Sequence, residues 1–345
     1  MKSRRLPPAF SYRAGIRIPG TSVTCDAAGF PSDLVFLSHA NALAPRELSM
    51  LTSGRSGRRQ LLATDKTLRL LGESGGKLRE RTLPAPFGRP FNLGANRLEV
   101  LPSGYLPGAA SLLCETDKRR VLYLGSFCPE PLLDGTEPAL LRRADAVCID
   151  ATFANPDLVL PPRGQTLAQV RAFVERSLRD RGRLLLLASP FGALPAVVLD
   201  LARAGIAMRA ERRITAVLAR LRRVCESLPA IPRFGGKMNE GEVLLWPAQA
   251  RNAASLATLG ELPAVLVSGS AANPAVLASM RVQNGFALTN MPSFAEIVSA
   301  IDATEAREVA VFGGPAESVA VLLRGRGFDA YALDPPRQMS LLAKG

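Results

Sequence analysis

The sequence predicts an α/β protein built in three consecutive parts, and three observations carry that reading. Residues 1–158 read mainly as short strands divided by turns. Near Pro161-Pro162 the texture changes to amphipathic helices alternating with apolar strands over residues 159–282, the pattern of a parallel, doubly wound unit. Residues 283–345 repeat that alternation on a shorter scale. The expected order is a β-rich part, an α/β insert and a short α/β return.

In the first part, "SVTCDAAG" and "DLVFLSH" are strand candidates separated by the turn residues Gly-Phe-Pro-Ser. "RQLLATDKTLRLLGESGG" places leucines at helical spacing and stops at a glycine pair, so it predicts a helix. "NRLEVLPSG", "AASLLCET" and "RRVLYLGSF" are further strands, and "ADAVCIDATF" is a buried strand ending at Asp150. Glycines in "SGRSGRR" (53–59) and "ESGGK" (73–77) predict surface loops carrying Arg55, Arg58, Arg59 and Lys77. In the insert, "TLAQVRAFVERSLRDRG" gathers Leu167, Val170, Phe173, Val174 and Leu178 on one helical face. The strand "RLLLLASP" and the helix "LPAVVLDLARAG", closed by Gly205, come next, and the pattern runs on through "EVLLWP", "AVLVSGS" and "GFALTNM". The return holds a helix at "SFAEIVSAIDA", a strand at "EVAVFGG", a helix from about Glu317 and the strand "FDAYALD".

Composition narrows the function classes. A hydrophobic content of 47% fits a filled core rather than a disordered chain. No apolar run approaches the roughly 20 residues that span a bilayer, and no apolar stretch follows the basic start, so neither a membrane span nor a signal peptide is expected and the default location is cytoplasmic. The cysteines at 25, 114, 128, 148 and 225 show no C-x-x-C spacing, and their odd number argues against a complete disulfide framework. Net charge is +13, which favours polyanionic partners because neutralising phosphates releases counterions. Only six of the 43 basic residues are lysine, a bias that a GC-rich genome also produces. "SGS" (268–270) and "FGG" (312–314) are glycine turns that extend to neither G-x-x-x-x-G-K-[ST] nor G-x-G-x-x-G, which excludes those nucleotide-binding fingerprints.

Several segments, in order, resemble one family. "SHANALAP" sits where the metallo-β-lactamase fold carries S/T-H-x-H-x-D-H. "LPSGYLPGAASLL" resembles its P-A-G-H-x-x-G-S-A segment, and "RRVLYLGSF" its R-x-x-Y-T-G-D-F. "CIDATFANPDLVLPP" resembles the segment that opens the β-CASP insertion of the nucleic-acid-processing branch. "FALTNMPSF" and "EVAVFGG" are similar to the late S-D-H-A-D-[WF] and E-V-x-x-T-H-G segments. From about Asp26 to Asp334 the chain resembles bacterial ligase-associated DNA exonucleases and RNA 3′-end processing nucleases. The resemblance implies an αββα sandwich of two sheets with outer helices, interrupted by an α/β β-CASP-like cap.

Family members cleave phosphodiesters with paired zinc ions, which clamp the phosphate and generate a hydroxide. The resemblance implies that this donor set is dismantled here. His39 matches the first histidine of the cluster, Asn41 stands at the second histidine, Leu43 at the aspartate and Ala44 at the third histidine. Tyr105 replaces the histidine of the Gly-His segment, and Ser126 the bridging aspartate. Asn290 and Met291 stand for Asp-His, and Gly313 for the last histidine; besides His39, only Asp150 keeps a donor at a family position. No zinc or other cofactor is therefore expected. Leu43, Ala44 and Met291 being apolar, the former metal pocket is expected to be repacked as core. His39, the only histidine, reads either as a vestigial ligand or phosphate donor, or as a buried imidazole bonded to a neighbouring strand end. Asp26 and Asp150 are expected to hold their loops by accepting backbone N–H bonds.

The resemblance further implies that the cap faces a nucleic-acid cleft. Its most basic stretch puts Arg212, Arg213, Arg220, Arg222 and Arg223 on the outside of a helix beginning near Glu211, with Ile214, Val217, Leu218 and Leu221 packed inward; Arg233 and Lys237 follow. Arginine suits phosphate because its planar fork donates in pairs. With aromatics at 6%, contact is expected to be directed at the DNA or RNA backbone rather than at stacked bases. The leading expectation is a catalytically inactive pseudoenzyme that binds nucleic acid, or scaffolds an active nuclease or ligase, in DNA repair or RNA processing. The alternative is an active metal-dependent exonuclease with an atypical site at His39, Asp150 and Cys128.

Overall fold

Period-2 burial along the strands builds a four-layer sandwich. The computed structural model describes residues 7–13, 15–27, 32–53, 59–251 and 253–333. The first sheet runs β1 (Ser11–Tyr12), β2 (Ile16–Arg17), β3 (Val23–Cys25), β4 (Leu34–Phe36), β5 (Gln60–Ala63) and β6 (Thr82–Pro84) side by side, parallel from β3 onward. The second starts β7 (Phe91–Leu93), β8 (Asn96–Pro102), β9 (Ala110–Glu115), β10 (Arg120–Gly125) and β11 (Ala146–Asp150), turning parallel at β11. Leu34 and Phe36 meet Leu112, Cys114 and Tyr123 between the two sheets. Their chain neighbours Val35 and Leu37 point the other way, to α1 (Pro45–Thr52), α2 (Asp65–Leu70) and α3 (Glu73–Leu78).

The insert is a separate parallel sheet with helices on both faces. It contains α4 (Arg163–Arg181), β12 (Arg183–Ala188), α5 (Leu194–Arg203), β13 (Ala207–Ala210), α6 (Arg212–Leu221), β14 (Glu242–Pro247), α7 (Ala254–Ala257), β15 (Ala264–Val267), α8 (Pro274–Ser279) and β16 (Asn284–Phe286). Its strand order is β13-β14-β12-β15-β16. Leu184, Leu186, Val243 and Leu245 face α4, α5 and α6, while Leu185, Leu187, Leu244 and Trp246 fill the opposite side. The sheet takes in Asn284–Phe286, so hydrogen bonding carries the insert past residue 282. The return adds α9 (Phe294–Thr304), β17 (Glu308–Phe312), α10 (Ala316–Gly325) and β18 (Asp329–Ala332). β17 and β18 extend the second sheet beyond β11, and α9 and α10 cover its outer face. The αββα order and the α/β insert are those the sequence predicts. No helix among the described residues is long and apolar enough to cross a membrane.

One stretch departs from its reading. "RQLLATDKTLRLLGESGG" is not a single helix ending at the glycine pair: Gln60–Ala63 pair with β4 as strand, and the helix begins only after Thr64, whose hydroxyl accepts from the Thr67 N–H at 3.1 Å. Gly75 and Gly76 lie inside α3, not in a loop, with Lys77 in its last turn. A Cβ at Gly75 would come within 1.8 Å of the Leu68 carbonyl, so the close approach of α2 and α3 requires glycine there. Arg55 and Arg58 of the other glycine-rich stretch lie outside the described residues.

Arg163, the first residue of α4, ties the insert to the return. Its guanidinium donates to the Thr289 carbonyl at 3.0 Å, to the Met291 carbonyl at 3.1 Å and to both oxygens of Glu296. Glu296 also accepts from the backbone and hydroxyl of Ser293, which caps α9. Burial disfavours the ionised Glu296, and the bonds from Arg163 and Ser293 outweigh it, holding the carboxyl below its usual range. This contribution to stability is present above the ordinary carboxylate range and is lost as pH falls through the lowered value. We expect Arg163→Ala to lower stability by on the order of 3 kcal/mol in urea unfolding, because it strands Glu296 without its partner; a change within the scatter of surface substitutions would contradict the assignment.

Candidate functional site: a polar cleft between sandwich and insert

A cleft of about 580 Å³ opens where the strand ends of the sandwich meet the carboxyl ends of the insert's strands. The sandwich supplies Asp26, His39, Asn41, Tyr105, Ser126, Asp150 and Thr152. The insert supplies Ser189, Gly192, Gln249, Ser268 and Ser270, and the segment after β16 supplies Thr289. Parallel strands expose loop backbone at their carboxyl ends, which is why ligands of open α/β sheets bind there.

Asp150 lies at the floor. It ends β11, flanked by Ser126 after β10 and Gly313 after β17. Ser126 Oγ donates to one carboxylate oxygen at 2.8 Å; the Thr152 N–H and hydroxyl donate to the other at 2.9 and 2.6 Å. The backbone bond from Thr152 is the loop-holding role expected of Asp150. Gly313 adopts φ +72°, and a Cβ there would stand 2.6 Å from Asp150 Oδ1 and 2.8 Å from Thr152 Oγ1. A ligating side chain at 313 would collide with the bonds that occupy Asp150. The sequence reading missed Thr152, although Asp-x-Thr at a strand end is a known local hydrogen-bonding pattern.

His39 sits beside this floor, with only 9% of its surface exposed. Its Nδ1 accepts from the Asn41 N–H at 3.1 Å, and the ring meets Tyr105 edge-on at 4.8 Å between centroids. The histidine is thus a buried imidazole bonded within its own loop, not to a neighbouring strand end. Burial lowers its pKa to about 4, against the opposing pull of Asp150. Burial also pushes the Tyr105 hydroxyl up to about 12, with a hydrogen bond to Asn41 acting against it. Deeper in, Asp26 accepts from the Ser38 N–H at 2.8 Å, the Ser38 hydroxyl at 2.5 Å and the Tyr123 hydroxyl at 2.8 Å. Burial raises its carboxyl and these bonds offset the rise only in part.

The expectation that the pocket is repacked as core needs correction. Met291 does pack with Tyr105, Leu106 and Ala109, but along one wall of a cleft that stays open. Leu43 turns away to the cluster under α1–α3, and Ala44 is exposed at the start of α1, where its N–H donates to Glu47 at 3.0 Å. Ala42 still lines the cleft, and in the helix that Pro45 begins Glu47 reaches it while Leu43 and Ala44 do not. Asn290 is buried as a bridge, donating to the carbonyls of Tyr105 at 3.2 Å and Gly192 at 3.0 Å, so it pins the insert to the sandwich. Cys128 does not line the cleft: its charged neighbours are Arg163, Glu296 and Glu130. Among the described residues, no three His, Cys, Asp or Glu side chains gather as a group that could hold a metal ion.

Over 346 aligned residues the chain is 23% identical to a probable DNA ligase of Opitutus terrae, covering 97% of this chain and 32% of that protein. It is also 29% identical over 181 residues to the 5′ exonuclease Apollo of Gallus gallus, covering 48% of this chain and 36% of that protein. The chain thus spans about a third of the length of these curated relatives. No family model matches it. These likenesses support a metallo-β-lactamase/β-CASP nuclease-like family.

The insert carries the predicted basic helix as α6. Ile214, Val217, Leu218 and Leu221 are buried, and Arg212, Arg213, Arg222 and Arg223 are exposed. Arg233 and Lys237 are exposed beyond them, Arg233 alongside β13 through a bridge with Ala210. Arg220 departs from the expected outer rim. Half-buried, it donates to the Leu70 carbonyl at 3.2 Å and braces the insert against α2. Burial, then the neighbouring Arg223, lowers its pKa.

Because His39 is the only histidine, its ring gives a single set of NMR signals to follow. We expect a titration midpoint near 4. A lowered imidazole pKa also means that stability is fully retained above the ordinary histidine range and declines as pH falls toward 4. A midpoint at the ordinary solvated value would show an imidazole open to water.

Proposed function

We propose that this chain is a non-catalytic member of its nuclease-like family that holds nucleic acid through the phosphate backbone, in support of an active nuclease or ligase. The observation that carries the reading is the state of Asp150, whose two oxygens are taken by Ser126 and Thr152 while Gly313 leaves no room for a ligating side chain. The donor set does not fit a pair of zinc ions, since each catalytic zinc needs about three protein donors and His39 already spends Nδ1 on the Asn41 N–H. An atypical metal site would need a third donor beside His39 and Asp150, and Cys128 is not on the cleft.

The cleft lining combines hydroxyls and amides with the carboxylates Asp26, Glu47 and Asp150 and includes no arginine or lysine, so phosphate contact falls to the exposed arginines of α6 in a chain of net charge +13. The likeness to part of a probable DNA ligase and to a 5′ exonuclease favours DNA as the polymer. Such a protein would work in DNA end processing or repair, presenting a strand to a partner that does the chemistry.

The test is a salt titration of binding to labelled single- and double-stranded DNA and RNA. We expect micromolar or tighter binding that weakens steeply with salt. Replacing Arg212, Arg213 and Arg223 with alanine should flatten the slope by about 0.7–0.9 for each phosphate that is no longer neutralised. No binding at low salt would remove the nucleic-acid role.

A further inference from the structure

A second cavity, of about 790 Å³, lies at the opposite end of the insert's sheet. It is lined by Leu185, Ala264 and Asn284, near the beginnings of β12, β15 and β16, whereas the cleft follows their ends at Ser189, Ser268 and Leu288. Strands of this length hold the two sites roughly 13–20 Å apart. The volume is within the range of small-ligand pockets, about 300–1,000 Å³.

Four arginines converge on this cavity: Arg176 and Arg181 from the last turns of α4, Arg251 from the turn after β14, and Arg281 after α8. Asp180 and Glu261 are the acids in the lining, so the lining carries an excess of positive charge. None of the four guanidiniums is in an ion pair among the described residues. Among the described residues, Arg251 Nε is buried without a hydrogen-bond partner. The carboxyl end of α4 favours cations and accounts for Arg181. It does not account for Arg251 and Arg281, which lie on loops outside that helix. A buried, unpartnered guanidinium N–H is costly unless an acceptor reaches it, and arginine clusters meet oxyanions in paired, charge-assisted bonds.

We propose that this cavity is a second phosphate-binding site, separate from the cleft, in which Arg176, Arg251 and Arg281 grip the phosphates of one ligand. Two sources share that chemistry: the backbone of a nucleic acid running past the insert, and a free nucleotide polyphosphate. The proposal stands whether or not the cleft itself holds nucleic acid.

The full chain would be titrated by calorimetry with ATP, with inorganic triphosphate and with a single-stranded DNA oligonucleotide. The same titrations would be run on Arg176→Gln/Arg281→Gln, on Arg251→Gln alone, and on the Arg212/Arg213/Arg223→Ala variant. Arg176 and Arg281 are exposed, so their replacement leaves the core untouched, and thermal melting checks each variant's fold. We expect the cavity variants to lose tenfold or more in affinity for at least one probe, with the α6 variant keeping that probe's cavity-dependent binding. Loss confined to the oligonucleotide identifies the backbone as the source; loss for ATP and triphosphate identifies a free polyphosphate. If every probe binds folded cavity variants as it binds the wild type, or none binds the wild type, the proposal is overturned.

Discussion

Asp150 ends the central parallel ladder of the second sheet, and the bonds to its carboxylate tie the turn after β11 to the end of β10. Its ladder partners β10 and β17 deliver Ser126 on one side and the side-chain-free Gly313 on the other, and the next turn folds back to bring Thr152 onto the remaining oxygen. Hydrogen bonds to a charged acceptor contribute about 1.5–3 kcal/mol each, so a carboxylate engaged in this way is expensive to release. Thr152 fills both acceptor sites of Oδ1, and Ser126 takes one of the two on Oδ2. The same residue thus fixes the geometry of the cleft floor.

Around that floor the insert is joined to the sandwich by polar ties as well as by apolar packing, with Leu70 and Leu133 in the insert's core cluster and Phe191 against Tyr105 and Leu106. Arg163 reaches the α9 cap, Arg220 reaches the end of α2, and Asn290 bridges Tyr105 and Gly192. These bonds hold the insert at set distances from the sandwich while the space between them stays open as the cleft. What remains is a polar opening, and the cationic residues of α6 lie outside its lining.

Much of the fold was legible because burial follows sequence parity. Leu34 and Phe36 against Val35 and Leu37, or Leu184 and Leu186 against Leu185 and Leu187, announce two-sided strands on inspection. The order of the motif segments gave the sandwich, the insert and the return. The stretch from Gln60 was misread because leucines of a buried strand run into those of a helix, and only the cap at Thr64 divides them. At the site, the identities of His39, Ser126, Asp150 and Gly313 were readable, but their partners were not. Tyr123 bonded to Asp26 and Arg220 bonded to Leu70 are contacts across 97 and 150 residues, which no local pattern encodes. The fate of Leu43 and Ala44 turned on how the chain enters α1, a property of that helix rather than of the residues themselves.

The most direct test of the account is the metal content of the chain purified from zinc-supplemented culture and dialysed, measured by mass spectrometry beside a nuclease assay with and without chelator. The account predicts no stoichiometric zinc or manganese and no chelator-sensitive cleavage of DNA or RNA. Metal bound in simple ratio to protein, with cleavage that a chelator abolishes, would contradict it and return the cleft to catalysis.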